Sequence, residues 1–276
     1  MTKLSAVVTT FNNADTLDAC LASVAFADER LVLDSFSTDA TRDIAARHGA
    51  RFVQHRFLGY GRQKQLAIEQ AANDWVLLLD ADEMVSAPLA AEIRALLASG
   101  PSAAGYAIPR QEQVFWKMSD PGVRWNRYLR LFDRRRGALS EMPVHAAPEV
   151  DGPVQPLRAP FFHFGEKDIH TKVDKVNAYS TGLVRDKVAR GRRGSPWAMV
   201  LYPPWFFFRS YVLKRGFRDG WAGFIASVVM GFYAFLKYAK VYEHFRFEAH
   251  GERLMPTGAP RQQRSRDVEA REPEAG

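Results

Sequence analysis

Four segments in the first 80 residues have the composition of β-strands, and stretches with helical spacing separate them. The predicted strands span 4–10, 30–34, 51–55 and 75–79. The last of them is wholly apolar without alternation, which is typical of a strand buried on both faces of a sheet. Between the strands, apolar residues recur three and four positions apart, as at Leu17, Leu21 and Val24. This β-α order predicts parallel strands with right-handed crossovers, and hence an α/β fold with a doubly wound sheet.

Turn residues and caps predict where the helices begin and end. The loop 35–39 supplies N-cap residues for a helix that ends at Gly49. A second helix is expected from Arg62 to about Ala72. Pro88 lies in the first turn of a third helix, which ends near Gly100.

Three carboxylates follow the apolar central strand within four positions: Asp80, Asp82 and Glu83. Acids this close repel one another unless a cation lies between them, and oxygen ligands suit Mg²⁺ or Mn²⁺. Ligands of open α/β sheets bind at the carboxyl ends of the strands, which is where these acids fall. The alternative is an acidic strand-to-helix turn with Glu83 near the dipole of the next helix. The pattern favours a divalent-cation site.

The predicted topology brings polar residues from three strands to one rim of the sheet. The first strand ends near Thr10 and Asn12, the second at Asp34, and the central strand at Asp80 and Asp82. A carboxylate at the end of the second strand can accept hydrogen bonds from a ribose or a base. A turn or cap residue is the alternative interpretation of Asp34. Read together with the central acids, Asp34 favours a nucleotide site.

The usual glycine-rich phosphate loops are absent after the first strand, where the sequence is Thr9–Asn13. The diphosphate of a bound nucleotide would therefore have to be neutralised by a metal and by side chains. Lys64, near the start of the helix before the central strand, is a candidate for that contact. A solvated surface lysine is the alternative.

Composition limits the partners of the chain. Its 276 residues, 47% hydrophobic, suffice for one large domain with an appendage, and the formal charge of +7 favours anionic partners. The only cysteine, Cys20, excludes an internal disulfide and is expected to be a packing residue. The N-terminus runs directly into a strand, so no signal peptide is expected.

The second half combines cations with aromatic residues. Basic residues cluster over 185–193, aromatic residues follow over 202–208, and an apolar stretch of 16 residues runs from Trp221 to Leu236. That stretch is shorter than the roughly 20 residues needed to cross a bilayer. Aromatic residues flanked by cations predict helices that lie in the membrane interface, with packing onto the catalytic domain as the alternative. No nucleic-acid module is recognisable, and the tail 251–276 is predicted to be disordered.

Three segments together resemble glycosyltransferase family 2. They are Leu4–Asn12, Leu33–Thr41 and Asp74–Glu83. Further segments resemble the group within it that adds glucose to the heptose region of the lipopolysaccharide inner core. They are Gln63–Lys64, Leu129–Phe132, Val144–His145 and Leu213–Trp221.

The resemblance implies a GT-A catalytic domain over 1–165, followed by a membrane-associating helical region over 166–250. It also implies an inverting transfer from a nucleotide sugar, UDP-glucose, with Thr10, Asn12 and Lys64 in the donor site. Asp34 would contact the base or ribose. Asp80 would hold the ribose and share the metal, and Asp82 would be the main ligand of Mg²⁺ or Mn²⁺.

The general base is where the sequence departs from the family. Relatives often have an aspartate shortly before the Leu-Arg-Leu-Phe segment, where this chain has Asn126, and a glutamate after the Val-His pair, where it has Ala146. An amide cannot act as the base. The remaining candidates are Asp120, Glu141, His145 and Glu149. We name His145 and Glu149 as the base candidates; His145 could also be a metal ligand or a packed histidine.

The predicted function is a metal-assisted glycosyltransferase that acts on a lipid-linked saccharide, such as a lipopolysaccharide core, at the cytoplasmic face of an inner membrane. A sugar nucleotidyltransferase is one alternative, although such enzymes usually have a glycine-rich loop after the first strand. A catalytically inactive membrane-bound adaptor is the other, since Asn126 and Ala146 replace acidic residues.

Overall fold

The computed structural model describes residues 2–139, 147–191 and 194–250. The first half contains β1 (Leu4–Thr10), α1 (Ala14–Ser23), β2 (Glu29–Asp34), α2 (Thr41–Arg47), β3 (Arg51–Gln54), α3 (Tyr60–Glu69), β4 (Trp75–Asp80), β5 (Glu83–Val85), α4 (Ala87–Ser99), β6 (Gly105–Val114), β7 (Lys117–Met118), β8 (Arg127–Asp133) and β9 (Gly137–Leu139). Then come β10 (Pro148–Val150), β11 (Val154–Pro156), β12 (Phe161–His163), α5 (Ile169–Ala189), α6 (Pro196–Phe208) and α7 (Trp221–His250). A π-helical turn (Arg209–Leu213) and a 3₁₀ turn (Gly216–Asp219) connect α6 to α7.

The main sheet has the strand order β3-β2-β1-β4-β8-β6-β12-β5. Its first four strands are parallel, which confirms the predicted α/β fold class. The sequence did not reveal that β8 lies antiparallel between β4 and β6, nor that β12 pairs with both β6 and β5. These later strands bring residues distant in sequence beside the end of β4.

Two apolar clusters cover the two faces of the sheet. In β4, Leu77 and Leu79 belong to one cluster, and Val76 and Leu78 belong to the other. All four side chains are almost fully buried, which confirms that β4 is buried on both faces. Cys20 lies fully buried in the first cluster, as expected for a packing residue.

The helix ends that the sequence predicted hold for α4 but not for the start of α2, whose N-cap is Ala40 rather than a residue of the loop 35–39. The Ser86 hydroxyl accepts a hydrogen bond from Leu89 N at 3.2 Å and caps α4, and Gly100 ends that helix with a φ of 85°. Helix α3 ends at Glu69 rather than near Ala72, with Gln70 as its C-cap.

The chain changes from strands to helices between β12 and α5, that is, between His163 and Ile169. A division into separate domains there stays a prediction, and the tail 251–276 lies outside the described residues. Helix α7 packs against both α5 and α6. The Lys240 ammonium, for instance, donates to the Asn177 carbonyl and the Ser180 hydroxyl, both at 2.8 Å.

Helices α6 and α7 expose a large apolar surface, which we name the helix-pair face. Its exposed residues are Trp197, Val200, Leu201, Trp205, Phe208, Trp221, Phe224, Val228, Phe232 and Phe235. The segment Trp221–Arg246 has a mean hydropathy of 1.5 over its most apolar part, and by length and composition it could cross a membrane. The expectation from the 16-residue apolar stretch was therefore too short, because the helix continues beyond Leu236.

Gly223 allows the start of α7 to approach the 3₁₀ turn. A Cβ there would meet the Gly216 carbonyl oxygen at 1.9 Å. We expect Gly223→Ala to destabilise the protein by about 1–3 kcal/mol, because the backbone must shift to admit the methyl group. Gly182→Ala is the control: a Cβ in that position of α5 meets nothing within 4 Å. It should stabilise the fold by roughly 0.5–1 kcal/mol. Urea unfolding measures both, and equal effects would contradict the close approach.

Candidate active site

The carboxyl ends of β1, β2 and β4 lie side by side. Asp34 is paired with Thr10 across β2 and β1, and Asp80 is paired with Thr9 across β4 and β1. The predicted convergence of these polar residues on one rim of the sheet is therefore confirmed.

Asn12 joins the loops after β1 and β2. Its backbone N–H donates to the Ser37 hydroxyl at 2.7 Å, and its side-chain oxygen accepts from Thr38 N at 2.9 Å. Its φ of 51° lies in the left-handed region, which asparagine tolerates better than most residues. Thr10 is buried, and its hydroxyl donates to the Asn13 side chain at 3.3 Å. Both residues shape the rim on which a nucleotide would rest.

Asp34 is fully buried and fixes the loop that follows β2. One of its oxygens accepts from Ser37 N at 2.9 Å and from the Gln54 amide at 3.0 Å, and the other accepts from the Ser37 hydroxyl. These contacts are those of the turn residue that the sequence left as the alternative. The predicted contact with the donor stays a prediction.

Two cations neutralise Asp80. The Lys64 ammonium lies 2.5 Å from Oδ1, and a guanidinium nitrogen of Arg130 lies 3.4 Å from Oδ2. Burial opposes ionisation, but Lys64 and Arg130 outweigh it and hold the pKa of Asp80 well below its usual range. Lys64 is therefore a residue of this site and not a solvated surface lysine.

Arg130 also pairs with Glu83 in the interior. The two side chains approach to 2.5 Å, and Glu83 is fully buried. Burial raises the pKa of Glu83 in spite of Arg130. Its other oxygen accepts from Asp80 N at 3.0 Å. Because Glu83 begins β5 and α4 starts only at Ala87, the helix-dipole alternative for Glu83 is wrong.

His163 lies between Asp82 and Glu112. Its Nε2 is 3.4 Å from Asp82 Oδ2, and its Nδ1 is 2.6 Å from Glu112 Oε2. Strand pairing sets this position, since His163 of β12 lies opposite Glu83 of β5 and Glu112 of β6. Burial opposes protonation, but hydrogen bonds to Asp82 and Glu112 outweigh it and raise the pKa of His163 to about 9. His163 is thus a cation at neutral pH.

Sequence reasoning missed both His163 and Glu112. No local motif marks either residue, and only the order of β5, β12 and β6 in the sheet brings them to Asp82. The available signal was weak: a histidine at the end of a short apolar segment that begins with Phe161 and Phe162.

Asp82 is the carboxylate that best fits a divalent cation. Its side chain is 28% exposed, and its only described side-chain contact is with His163. Asp80, in contrast, faces Lys64 and Arg130 through its two oxygens. Within the described residues, no three His, Cys, Asp or Glu side chains stand close enough to form a ready metal site. Asp80 would therefore have to exchange one of its cations for the metal.

Each of the predicted base candidates either lies apart from this cluster or lies outside the residues that the structure describes. Glu149 is exposed in the antiparallel pair of β9 and β10, opposite Ala138. His145 and Glu141 lie outside the described residues. Asp120 is held by Arg218, whose Nε donates to Oδ1 at 2.7 Å. None of these positions confirms a role as base.

Removing one partner of the buried ion pair should show how strongly the pair affects the free energy of unfolding. We expect Arg130→Met to destabilise the protein by about 3–5 kcal/mol, because Glu83 is left buried without a compensating cation. Adding Glu83→Gln should recover part of that loss. Arg47→Met removes an exposed ion pair with Asp18 and should change stability by less than about 1 kcal/mol. Urea unfolding compares the three, and an Arg130 effect no larger than that of Arg47 would contradict the buried pair.

Comparison with known proteins identifies the family. The model of Glycosyl transferase family 2 matches residues 5–147. An uncharacterized glycosyltransferase of Rickettsia felis is 31% identical over 257 residues, covering 88% of this chain and 90% of the relative. The lipopolysaccharide core biosynthesis glycosyltransferase LpsC of Rhizobium meliloti is 30% identical, covering 89% and 94%. Among solved structures, TarS of S. aureus (residues 1–349) overlaps with a TM-score of 0.46 at 15% identity, covering 92% and 93%. The chain therefore belongs to glycosyltransferase family 2 and is a glycosyltransferase.

Proposed function

We propose that this enzyme transfers a sugar, glucose, from UDP-glucose to a lipid-linked saccharide with inversion at the anomeric carbon. The observation that carries the proposal is the position of Asp82. It lies just beyond β4, on the rim where β1 and β2 also end, with a partly exposed carboxylate beside the cations at Asp80. Ligands of open α/β sheets bind at this edge.

The donor site is formed by the rim and its cations. Thr10, Asn12 and Asp34 shape the two loops against which the nucleoside would lie. Lys64, which is held by Asp80 and partly exposed, would face the diphosphate, whereas Arg130 is buried and balances Asp80 and Glu83 from the interior. This arrangement replaces the glycine-rich phosphate loops that the sequence lacks.

Asp82 and Asp80 would hold Mg²⁺ or Mn²⁺, and His163 is the neighbouring nitrogen donor. A bound divalent cation neutralises the charge that develops on the leaving diphosphate. Until a cation binds, His163 supplies the positive charge beside Asp82. Binding of the metal would therefore be coupled to loss of the His163 proton.

Glu112 is the described carboxylate best placed to accept the proton of the attacking hydroxyl. Burial opposes ionisation, but His163 and Arg110 lower the pKa of Glu112, so the group is deprotonated at neutral pH. Its side chain is 31% exposed, which leaves it open to a substrate. His145 and Glu149 stay predictions from the sequence.

The acceptor assignment rests on the relative from Rhizobium meliloti, which is named for lipopolysaccharide core biosynthesis. The helix-pair face supports it, because an exposed apolar surface of this size suits a bilayer interface. We infer that the enzyme acts at the cytoplasmic face of an inner membrane. Family membership favours this transferase over the nucleotidyltransferase and the inactive adaptor.

Binding of UDP tests the donor site and the metal together. Calorimetry of the purified protein in Mn²⁺ should show UDP binding that EDTA abolishes. Asp82→Asn should weaken binding in Mn²⁺ by roughly tenfold or more, since a charged ligand of the metal is lost. Asp18→Asn, which removes an exposed carboxylate of α1, is the control and should bind as the wild type does. If the wild-type protein binds no UDP in Mn²⁺ or in Mg²⁺, the proposed donor is overturned.

Vesicle binding tests the helix-pair face. The double variant Trp205→Glu/Trp221→Glu should lose most of its cosedimentation with vesicles of phosphatidylcholine and phosphatidylglycerol, because two carboxylates would enter the interface. The control Tyr60→Glu/Trp116→Glu changes two equally exposed aromatic residues outside α6 and α7. It should bind vesicles as the wild type does. Equal losses in the two variants would contradict the assignment of this face to the membrane.

A further inference from the structure

The connection between α6 and α7 is anchored to the strand-containing part of the chain, residues 2–163, which we name the catalytic half. Arg124 N donates to the Lys214 carbonyl at 3.0 Å, and Asp120 N donates to the Asp219 carboxylate at 2.6 Å. The Arg218 guanidinium closes the contact with Asp120. The turn 209–219 therefore holds a fixed position and is not a loose linker.

This turn carries more positive charge than its carboxylates balance. Lys117 and Arg218 are paired with Asp219 and Asp120. Of the other cations in this corner, none forms an ion pair with a carboxylate in the described part of the chain; they are Arg124, Arg209, Lys214 and Arg215. The surplus is local to this turn and to Arg124, whose N–H contacts it.

Lys214 differs from the other three because it is partly buried. Its ammonium donates one described hydrogen bond, to the Asn126 side-chain oxygen at 3.4 Å, although an ammonium has three donors. Burial and the nearby Arg209 lower the pKa of Lys214, and Glu112 offsets them only in part, so the charge of Lys214 is incompletely compensated. A partly buried cation beside another cation is stabilised when an anion binds.

A short series of contacts connects Lys214 with the reaction centre. The Asn126 carbonyl accepts from Arg110 N at 3.0 Å, and the Arg110 guanidinium lies 2.6 Å from Glu112. Glu112 contacts His163, which contacts Asp82. Lys214 is thus connected to Glu112, whose charge acts on it, whereas Lys64 is bound to Asp80.

We propose that Lys214, assisted by Arg209, binds an anionic substituent, a phosphate or a carboxylate, of the saccharide acceptor. The assignment rests on the proposed function, in which Glu112 takes the proton of the acceptor hydroxyl. On the donor side, Lys64 and the metal would meet the diphosphate, so a cation connected to Glu112 is available to the other substrate. A lysine ammonium suits either anion, because it is a compact point charge with rotatable donors.

A variant of Arg215 distinguishes the binding of an acceptor anion from the binding of a lipid headgroup. It follows Lys214 on the same turn and is exposed, with a φ of 62° that keeps it in the left-handed region. Anionic headgroups would contact an exposed arginine at least as well as a partly buried lysine. A saccharide anion beside Glu112 would depend on Lys214 alone of the two.

The test measures binding of simple sugars to the full-length protein saturated with UDP and Mg²⁺, which is diamagnetic and therefore compatible with NMR. Glucose 6-phosphate, glucuronate and glucose are the probes, with affinities taken from NMR titration. The wild type should bind the two anionic sugars more tightly than glucose, and Lys214→Gln should weaken their binding by roughly tenfold or more. Arg215→Gln should leave it within about twofold, well below the tenfold that 1.4 kcal/mol represents. Both variants should bind UDP and vesicles as the wild type does.

Each contrary result has a distinct meaning. An unchanged affinity of Lys214→Gln for the anionic sugars, or the same loss in Arg215→Gln, overturns the proposal and leaves the donor site intact. A loss of UDP affinity in Lys214→Gln assigns the cation to the diphosphate and also overturns it. Absence of UDP binding by the wild type overturns the proposed function, and the acceptor assignment falls with it.

Discussion

The balance of charge at the end of β4 is the constraint on which the rest of the structure depends. Asp80, Asp82 and Glu83 stand within four residues, and Glu83 is completely buried. Carboxylates so close in a poorly hydrated site are stable only when cations lie between them. The fold provides these cations from three separate elements: Lys64 from α3, Arg130 from β8 and His163 from β12. The site is therefore complete only when the later strands have joined the sheet.

The same arrangement separates the contacts of Asp80 from those of Asp82. Asp80 faces the ammonium of Lys64 and the guanidinium of Arg130, and Arg130 also balances the buried Glu83. Asp82 instead contacts His163, which in turn contacts Glu112. Two carboxylates two positions apart thus have different partners and different electrostatic surroundings.

The sequence predicted the part of the site that depends on local pattern. The apolar run of β4 gave the buried strand, and the β-α order placed Asp34 and Asp80 on one rim. Lys64 was a candidate from the sequence, but Arg130, His163 and Glu112 could not be predicted as partners, because they come from antiparallel or late strands whose order leaves no periodic signal. Arg130 was noticed only as part of a resembling segment, and His163 not at all. The expectation that a metal must separate the carboxylates overlooked the protein's own cations.

The C-terminal helices show why composition alone left their role open. Helix α7 is long and apolar, yet only a third of its most apolar part is buried, so packing onto the rest of the chain does not account for its surface. The turn between α6 and α7 nevertheless contacts the catalytic half through Asp120 and Arg124. The same short turn therefore holds the helix-pair face in a fixed position relative to the cluster of Asp82, His163 and Glu112. A surface that binds a bilayer would in this way also set the distance of Glu112 from the membrane, and with it the part of a lipid-linked saccharide that can reach the reaction centre.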